Sequence, residues 1–291
     1  MVTPHARRLA LCLGCMGALA SDGLPWPAAR AEPLSSETAS LPMEAPTTGR
    51  LTFDDEFDTL DLSRYNSRYW WGARWLAGNG ERQVYVDPSY TGDQDTPMRL
   101  NPFAVENGVL RIEAAVPPMA VAKHLKGQAY TSGLLTTFSS FSQLYGYFEI
   151  RAQFPAGKGL WPAFWLVPHV KAPGGEPEID VVEMLGDDPT TLHMALHWTD
   201  PSGQFRSKES TVRVPDMSGS FHRYGLDWTA SRIAWYFDGK RVAETETPIS
   251  HHEPMYLLLN LAVGGHWPGL PSKQTHFPAE MLVDFIRAYA P

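Results

Sequence analysis

Apolar residues in this chain fall mostly into short runs bounded by Gly, Pro, Asn and Asp, and long stretches with a helical period are scarce. Eight runs stand out: 108–116 (GVLRIEAAV), 145–154 (YGYFEIRAQF), 162–167 (PAFWLV), 191–198 (TLHMALHW), 222–229, 232–239, 255–263 (MYLLLNLAV) and 281–289. In the second, Phe148, Ile150, Ala152 and Phe154 alternate with Tyr147, Glu149, Arg151 and Gln153. That period of two predicts a strand with one buried face. Asp238-Gly239 between two such runs predicts a hairpin turn. Many short strands over about 240 residues predict an all-β fold, a sandwich of two sheets ahead of a closed barrel.

The amino terminus has a different pattern. His5, Arg7 and Arg8 precede an apolar run from Leu9 to Ala20 and then small residues, the order of a secretory signal. The run is too short to span a bilayer. A buried amino-terminal helix would need an amphipathic period that is missing, and a lipoprotein reading at Cys15 is poorly matched. Of two small-x-small cleavage sites, Ala18-Leu19-Ala20 and Ala29-Arg30-Ala31, the second is favoured because the chain turns polar at Glu32. The expected organisation is a signal peptide at 1–31, a flexible leader at 32–50 rich in Pro, Ser, Thr and Glu, and one domain at 51–291. Both cysteines, Cys12 and Cys15, leave with the signal, so the mature protein has no thiol for a disulfide, a nucleophile or a metal.

The chain carries 24 basic and 32 acidic residues, a formal charge of −8. Removal of 1–31 takes away three Arg and one Asp, leaving 21 basic against 31 acidic residues, a net of −10. Such a balance argues against nucleic acid and polybasic membrane attachment. Ten Trp among 24 Gly and 25 Pro suit turn-dense β structure with flat surfaces for stacking ligands.

The sharpest chemical signal is Glu178-Ile179-Asp180-Val181-Val182-Glu183. In a regular strand Glu178 and Asp180 would share a face and Glu183 would point to the other. A one-residue bulge at Val181-Val182 returns Glu183 to the first face, so that three acids line one surface. Glu178 and Glu183 would then be about four residues apart, roughly 13 Å along the strand. Two Glu side chains leaning together bring their carboxyls toward the ~5 Å used in retaining glycoside hydrolysis. Clustered carboxylates repel, which raises the proton affinity of one beside an ionised partner. Three other readings stay open: a solvated strand face, a Ca²⁺ site, and a Glu183 turned away into an ion pair.

The run resembles the bulged signature of glycoside hydrolase family 16, in its laminarinase-like branch. The resemblance extends to YTSGLLTT (130–137), the 145–168 stretch, FHRYGLDW (221–228), WYFDGKRV (235–242), LNLAVGGHWPG (259–269) and 277–289, covering roughly 51–291. It implies a β-jelly-roll sandwich of two antiparallel sheets with a substrate cleft on the concave face, and a retaining endo-glycanase. Carried over by position, Glu178 would be the nucleophile, Asp180 its assisting carboxylate and Glu183 the general acid/base. Trp161, Trp165, Trp267, Asn79, Glu81 and His197 would contact sugar, with buried core the bland alternative for the first two Trp and a loop cap for Asn79. His193 and His197 are four apart but on a strand, which weakens a zinc reading. Asp284 resembles a ligand of a structural Ca²⁺; the chemistry itself requires no cofactor. Leu134 and Phe138 depart from the family pattern, as does the Trp70, Trp71, Trp75 cluster, and these bear on substrate identity. The expected partner is a polysaccharide, a β-1,3- or β-1,3-1,4-glucan ahead of agarose- or carrageenan-like galactans. Hydrolysis is expected ahead of transglycosylation or binding without chemistry, by a secreted or periplasmic monomer that does not insert stably in a membrane.

Overall fold

The structure is a computed structural model that describes residues 31–33, 49–169 and 177–291. The expected signal peptide up to residue 30, leader residues 34–48 and the segment 170–176 before the acidic strand lie outside the described residues.

Two sheets pack face to face. The first has seven strands in the order β1 (Ala31–Pro33), β12 (Phe205–Arg213), β11 (Thr191–Thr199), β10 (Glu178–Glu183), β9 (Leu160–Pro168), β16 (Met255–Val263) and β7 (Leu134–Thr136). The second runs β15 (Lys240–Glu246), β14 (Arg232–Phe237), β13 (His222–Trp228), β8 (Gly146–Gln153), β17 (Ala279–Tyr289), β5 (Val109–Ala114) and β4 (Phe103–Glu106), with β2 (Leu51–Asp55) also on β17. All pairs in them are antiparallel except β1 with β12. The short strands β3 (Gln83–Tyr85) and β6 (Tyr130–Ser132) pair in parallel beside them. This is the expected β-jelly-roll sandwich. Helix among the described residues is confined to α1 (Met119–Ala122) and a 3-10 turn at Ala77–Asn79. The β1 pairing places Glu32 and Pro33, read from sequence as leader, against β12.

The alternation read from sequence decides which side chains meet between the sheets. Phe148, Ile150, Ala152 and Phe154 of β8 and the chain just after it enter the core, with Leu160, Phe164 and Leu166 of β9 and Leu257, Leu259 and Leu261 of β16 facing them. Each such buried side chain larger than Ala contributes roughly 1.5–3 kcal/mol. Strands β9 and β16 read as continuous apolar runs because their outer faces are covered too: Trp165, Val167, Tyr256 and Leu258 pack beneath the loop around residues 69–76. Asp238 and Gly239 both have positive φ, 48° and 78°, and close the β14–β15 hairpin as a I′-like turn.

Candidate active site

Strand β10 builds the site. Against β9, Asp180 pairs with Trp165 while Val182 pairs with Phe164, so Val181 is an extra residue, and the pairing with β11 shifts between Asp180 and Glu183 as well. The bulge lies where the acidic run requires it. Ile179, Val181 and Val182 all enter the core, while Glu178, Asp180 and Glu183 line one cleft of about 350 Å³ on the outer face. The solvated-face and turned-away readings of these acids therefore fail. Trp161, Trp165, Asn79, Glu81, Tyr69 and Asn260 line the same cleft.

Two buried side chains hold the backbone of β10 in this shape. Trp235, reaching across from β14 in the other sheet, donates its indole N–H to the Asp180 carbonyl at 2.8 Å. His251 lies 3.1 Å by Nε2 from the Glu178 carbonyl, with Ser250 Oγ 3.0 Å from Nδ1. Burial pushes the His251 pKa down to about 3, so the ring is neutral. A carbonyl only accepts, so Nε2 carries the proton.

Burial, and then the neighbouring Asp180, raise the pKa of Glu183 well above the ordinary carboxyl range. The Trp161 indole donates to Glu183 Oε1 at 3.0 Å and partly opposes that rise, while Glu209 on β12 adds to it. A carboxyl that holds its proton more tightly than its neighbours is suited to act as a proton donor. His197 Nε2 is 3.2 Å from Asp180 Oδ2 without the alignment of a hydrogen bond, and its ring stacks on Phe205 at 5.8 Å. Glu178, Asp180 and His197 each offer an atom within 4.8 Å of the others, so the cation reading remains geometrically open for that trio alone among the described residues.

The far wall is tied to the sheet end. Arg82 N–H donates to the Val263 carbonyl and Val263 N–H to Gln83 Oε1, each at 2.8 Å. Gln83 Nε2 then donates to Glu81 Oε2 at 2.7 Å, alongside Leu76 N–H at 2.8 Å, and Asn79 Nδ2 reaches Glu81 Oε1 at 3.4 Å. Despite these donors, burial pushes the Glu81 pKa up to about 7. Trp165 donates to Asn260 Oδ1 at 2.8 Å, and Asn260 donates to the Tyr85 hydroxyl at 3.0 Å. Trp267 is half-buried and meets Trp161 and His193 edge-on, with centroids 5.3 and 4.9 Å apart. Its loop turns through Gly264 and Gly265, at φ 72° and 140°, and His266 N–H bonds the Asn79 carbonyl at 2.8 Å.

The structure thus brings the three acids together with Trp161, Trp165, Asn79, Glu81 and His197, and sets Trp267 against Trp161. Trp161 and Trp165 are largely buried, and both indole N–H groups are engaged by cleft residues. Asp284 lies apart on β17, where its carboxylate pairs with Arg151 of β8, and a cation there would compete with that guanidinium. Sequence reasoning missed Asn260, Tyr69, His251 and Trp235. Asn260 had a signal, a lone amide inside a nine-residue apolar strand; His251 had none.

Residues 97–286 match the family model described as glycosyl hydrolases family 16. The chain is similar to the endo-1,3-1,4-beta-glycanase ExsH of Rhizobium meliloti (strain 1021), 46% identical over 249 residues, 82% of this chain and 51% of the relative. It therefore spans about half the length of that curated relative. It is 33% identical over 261 residues to a beta-glucanase of Rhodothermus marinus, covering 82% of this chain and 84% of that one. Among solved structures, the endo-beta-1,3-glucanase of Pyrococcus furiosus superposes with a TM-score of 0.69 at 30% identity, over 86% of this chain and 98% of that chain.

Proposed function

The chain belongs to glycosyl hydrolase family 16, and from that membership we propose that it cleaves internal β-glycosidic bonds of a polysaccharide with retention of configuration. The observation that carries this reading is the bulged strand β10, which sets Glu178, Asp180 and Glu183 along one cleft with the Glu183 proton affinity raised. Glu178 attacks the anomeric carbon while protonated Glu183 gives its proton to the departing glycosidic oxygen. Glu183, now a carboxylate, takes a proton from the incoming water, whose oxygen bonds the anomeric carbon and releases Glu178. Asp180 lies between them on the same cleft wall, and His197 Nε2 approaches its Oδ2 to 3.2 Å.

The substrate we propose is a neutral or weakly charged β-1,3- or mixed β-1,3-1,4-glucan, or a glucan-like exopolysaccharide. Three features support it: Trp267, set edge-on against the Trp161 indole that bonds Glu183, which suits the flat faces of equatorial sugars; a net charge that disfavours sulfated galactans; and the glucanase names of the relatives. We further propose a secreted or periplasmic monomer. No helix among the described residues is long and apolar enough to cross a membrane.

The test is oligosaccharide release from laminarin, lichenan, agarose and carrageenan side by side, with wild type and Glu178→Gln. Cutting of the glucans by wild type and loss of turnover in a folded Glu178→Gln is the expected result. Cutting of the galactans alone overturns the substrate, and binding of glucan without new reducing ends overturns the enzyme.

A further inference from the structure

Residues that the catalytic reading leaves unused gather at one end of the cleft. Trp70, Trp71, Leu134 and Phe138 pack with Tyr69 on the outer face of the seven-stranded sheet, against Trp165 and Tyr256. Tyr69 joins this group to the site, because it lines the cleft with Trp165 and Glu178 and its ring centroid is 6.1 Å from that of Trp165. Trp71 lies flat on Tyr69, 4.7 Å between centroids and 6° between planes. Trp70 meets Trp71 edge-on at 5.7 Å and runs nearly parallel to Phe138 at 6.3 Å, and Phe138 stacks on His169 at 4.7 Å.

The turn that carries the two indoles is fixed by its own backbone. Tyr69 N–H bonds the Ala73 carbonyl at 3.0 Å and Gly72 N–H bonds the Tyr69 carbonyl at 2.8 Å. Gly72 takes φ 89°, and no atom lies within 4 Å of where its side chain would be, so the tip stands clear of the rest of the protein. Trp70 and Trp71 both remain only half-buried there. Apolar rings held partly in water by a rigid turn, continuous with the cleft, form a surface already arranged for a flat apolar ligand.

We propose that Trp71, flanked by Trp70, is an additional sugar-stacking surface at the end of the cleft beyond Trp165 and Tyr69. It takes the apolar face of a β-linked pyranosyl unit remote from the bond being cut. The inference rests on the endo-glycanase reading, since only a polymer lying along the cleft reaches that far.

The experiment compares wild type, Trp71→Leu and Trp71→Phe on laminari- and mixed-linkage oligosaccharides of increasing length. Leu keeps an apolar cover over Tyr69 but removes the flat ring; Phe restores a ring. The readout is the ratio of kcat/KM on the longest substrate to that on the shortest substrate cleaved. Trp71→Leu lowers this ratio by roughly 2- to 10-fold, and Trp71→Phe recovers part of it. An unchanged ratio, whether both rates hold or fall together, overturns the proposal. Calorimetric titration of the same oligosaccharides into Glu178→Gln, with and without Trp71→Leu, separates the two readings. Length-dependent affinity that vanishes with Trp71 upholds the stacking surface even if wild type cleaves nothing, whereas affinity independent of Trp71 overturns it.

Discussion

Glu81→Gln isolates a single buried carboxyl whose ionisation opposes folding. Glu81 is 5% exposed, and burial moves its pKa from the ordinary 4.5 to about 7 although three donors reach its oxygens. The folded state therefore binds this proton more tightly than the unfolded chain does. The resulting stability is fully present below pH 4.5 and is lost as the pH rises through about 7. At about 1.36 kcal/mol per unit, the shift corresponds to about 3 kcal/mol. Gln has nearly the same shape and no charge, and its amide oxygen can accept from both Leu76 N–H and Gln83. Turning an NH₂ toward Asn79 introduces a penalty of about 1 kcal/mol that does not vary with pH. Urea denaturation of wild type and Glu81→Gln at steps from pH 4 to pH 8 reads the difference directly. The stability of the variant relative to wild type rises by about 3 kcal/mol across that range, most steeply between pH 4.5 and 7. Glu183, which acts with the same sign, is present in both proteins and cancels. A difference that stays constant with pH would refute the argument, because it would mean that water reaches Glu81 and leaves it an ordinary surface acid.

Trp235→Phe removes the donor to the Asp180 carbonyl. Loss of this buried hydrogen bond destabilises the fold by about 1 kcal/mol, and kcat falls more than KM changes; unaltered kcat with reduced stability confines Trp235 to packing. The raised pKa of Glu183 extends the pH range over which the acid keeps its proton, so kcat/KM on unactivated glucan declines as the pH rises through it. With Glu183→Gln and an aryl glycoside whose leaving group needs no proton, that alkaline decline disappears, and a decline that persists assigns it to another group.

Much of the fold was legible because the sandwich imposes a period of two on strands with one covered face. All eight apolar runs correspond to strands, and even the bulge in β10 followed from requiring that Glu178, Asp180 and Glu183 share a surface. Strand β12 escaped notice because FRSKESTVR carries charged and hydroxyl side chains on both faces near the sheet edge, leaving no hydrophobic alternation to read. In the site, residues that present their own chemistry were visible, while those acting through the backbone were not. Trp235 and His251 come from strand β14 and from a loop before β16, and only the packing of the two sheets brings their N–H groups to the carbonyls of β10. The Trp70-Trp71 pair was visible as composition, but its place beyond Tyr69 depends on a turn closed by the Tyr69, Gly72 and Ala73 backbone.

The central claim is that Glu178 forms a covalent bond to the sugar, and the most direct measurement is to trap that bond. A β-glucan oligosaccharide fluorinated at C2 of the reacting unit, with an activated leaving group, slows release more than attack and lets the glycosyl-enzyme accumulate. Mass analysis of proteolytic peptides after such treatment should find one glycosyl adduct, on Glu178. An adduct on another residue, or steady cleavage of the same reagent with no adduct at any point, would contradict the account.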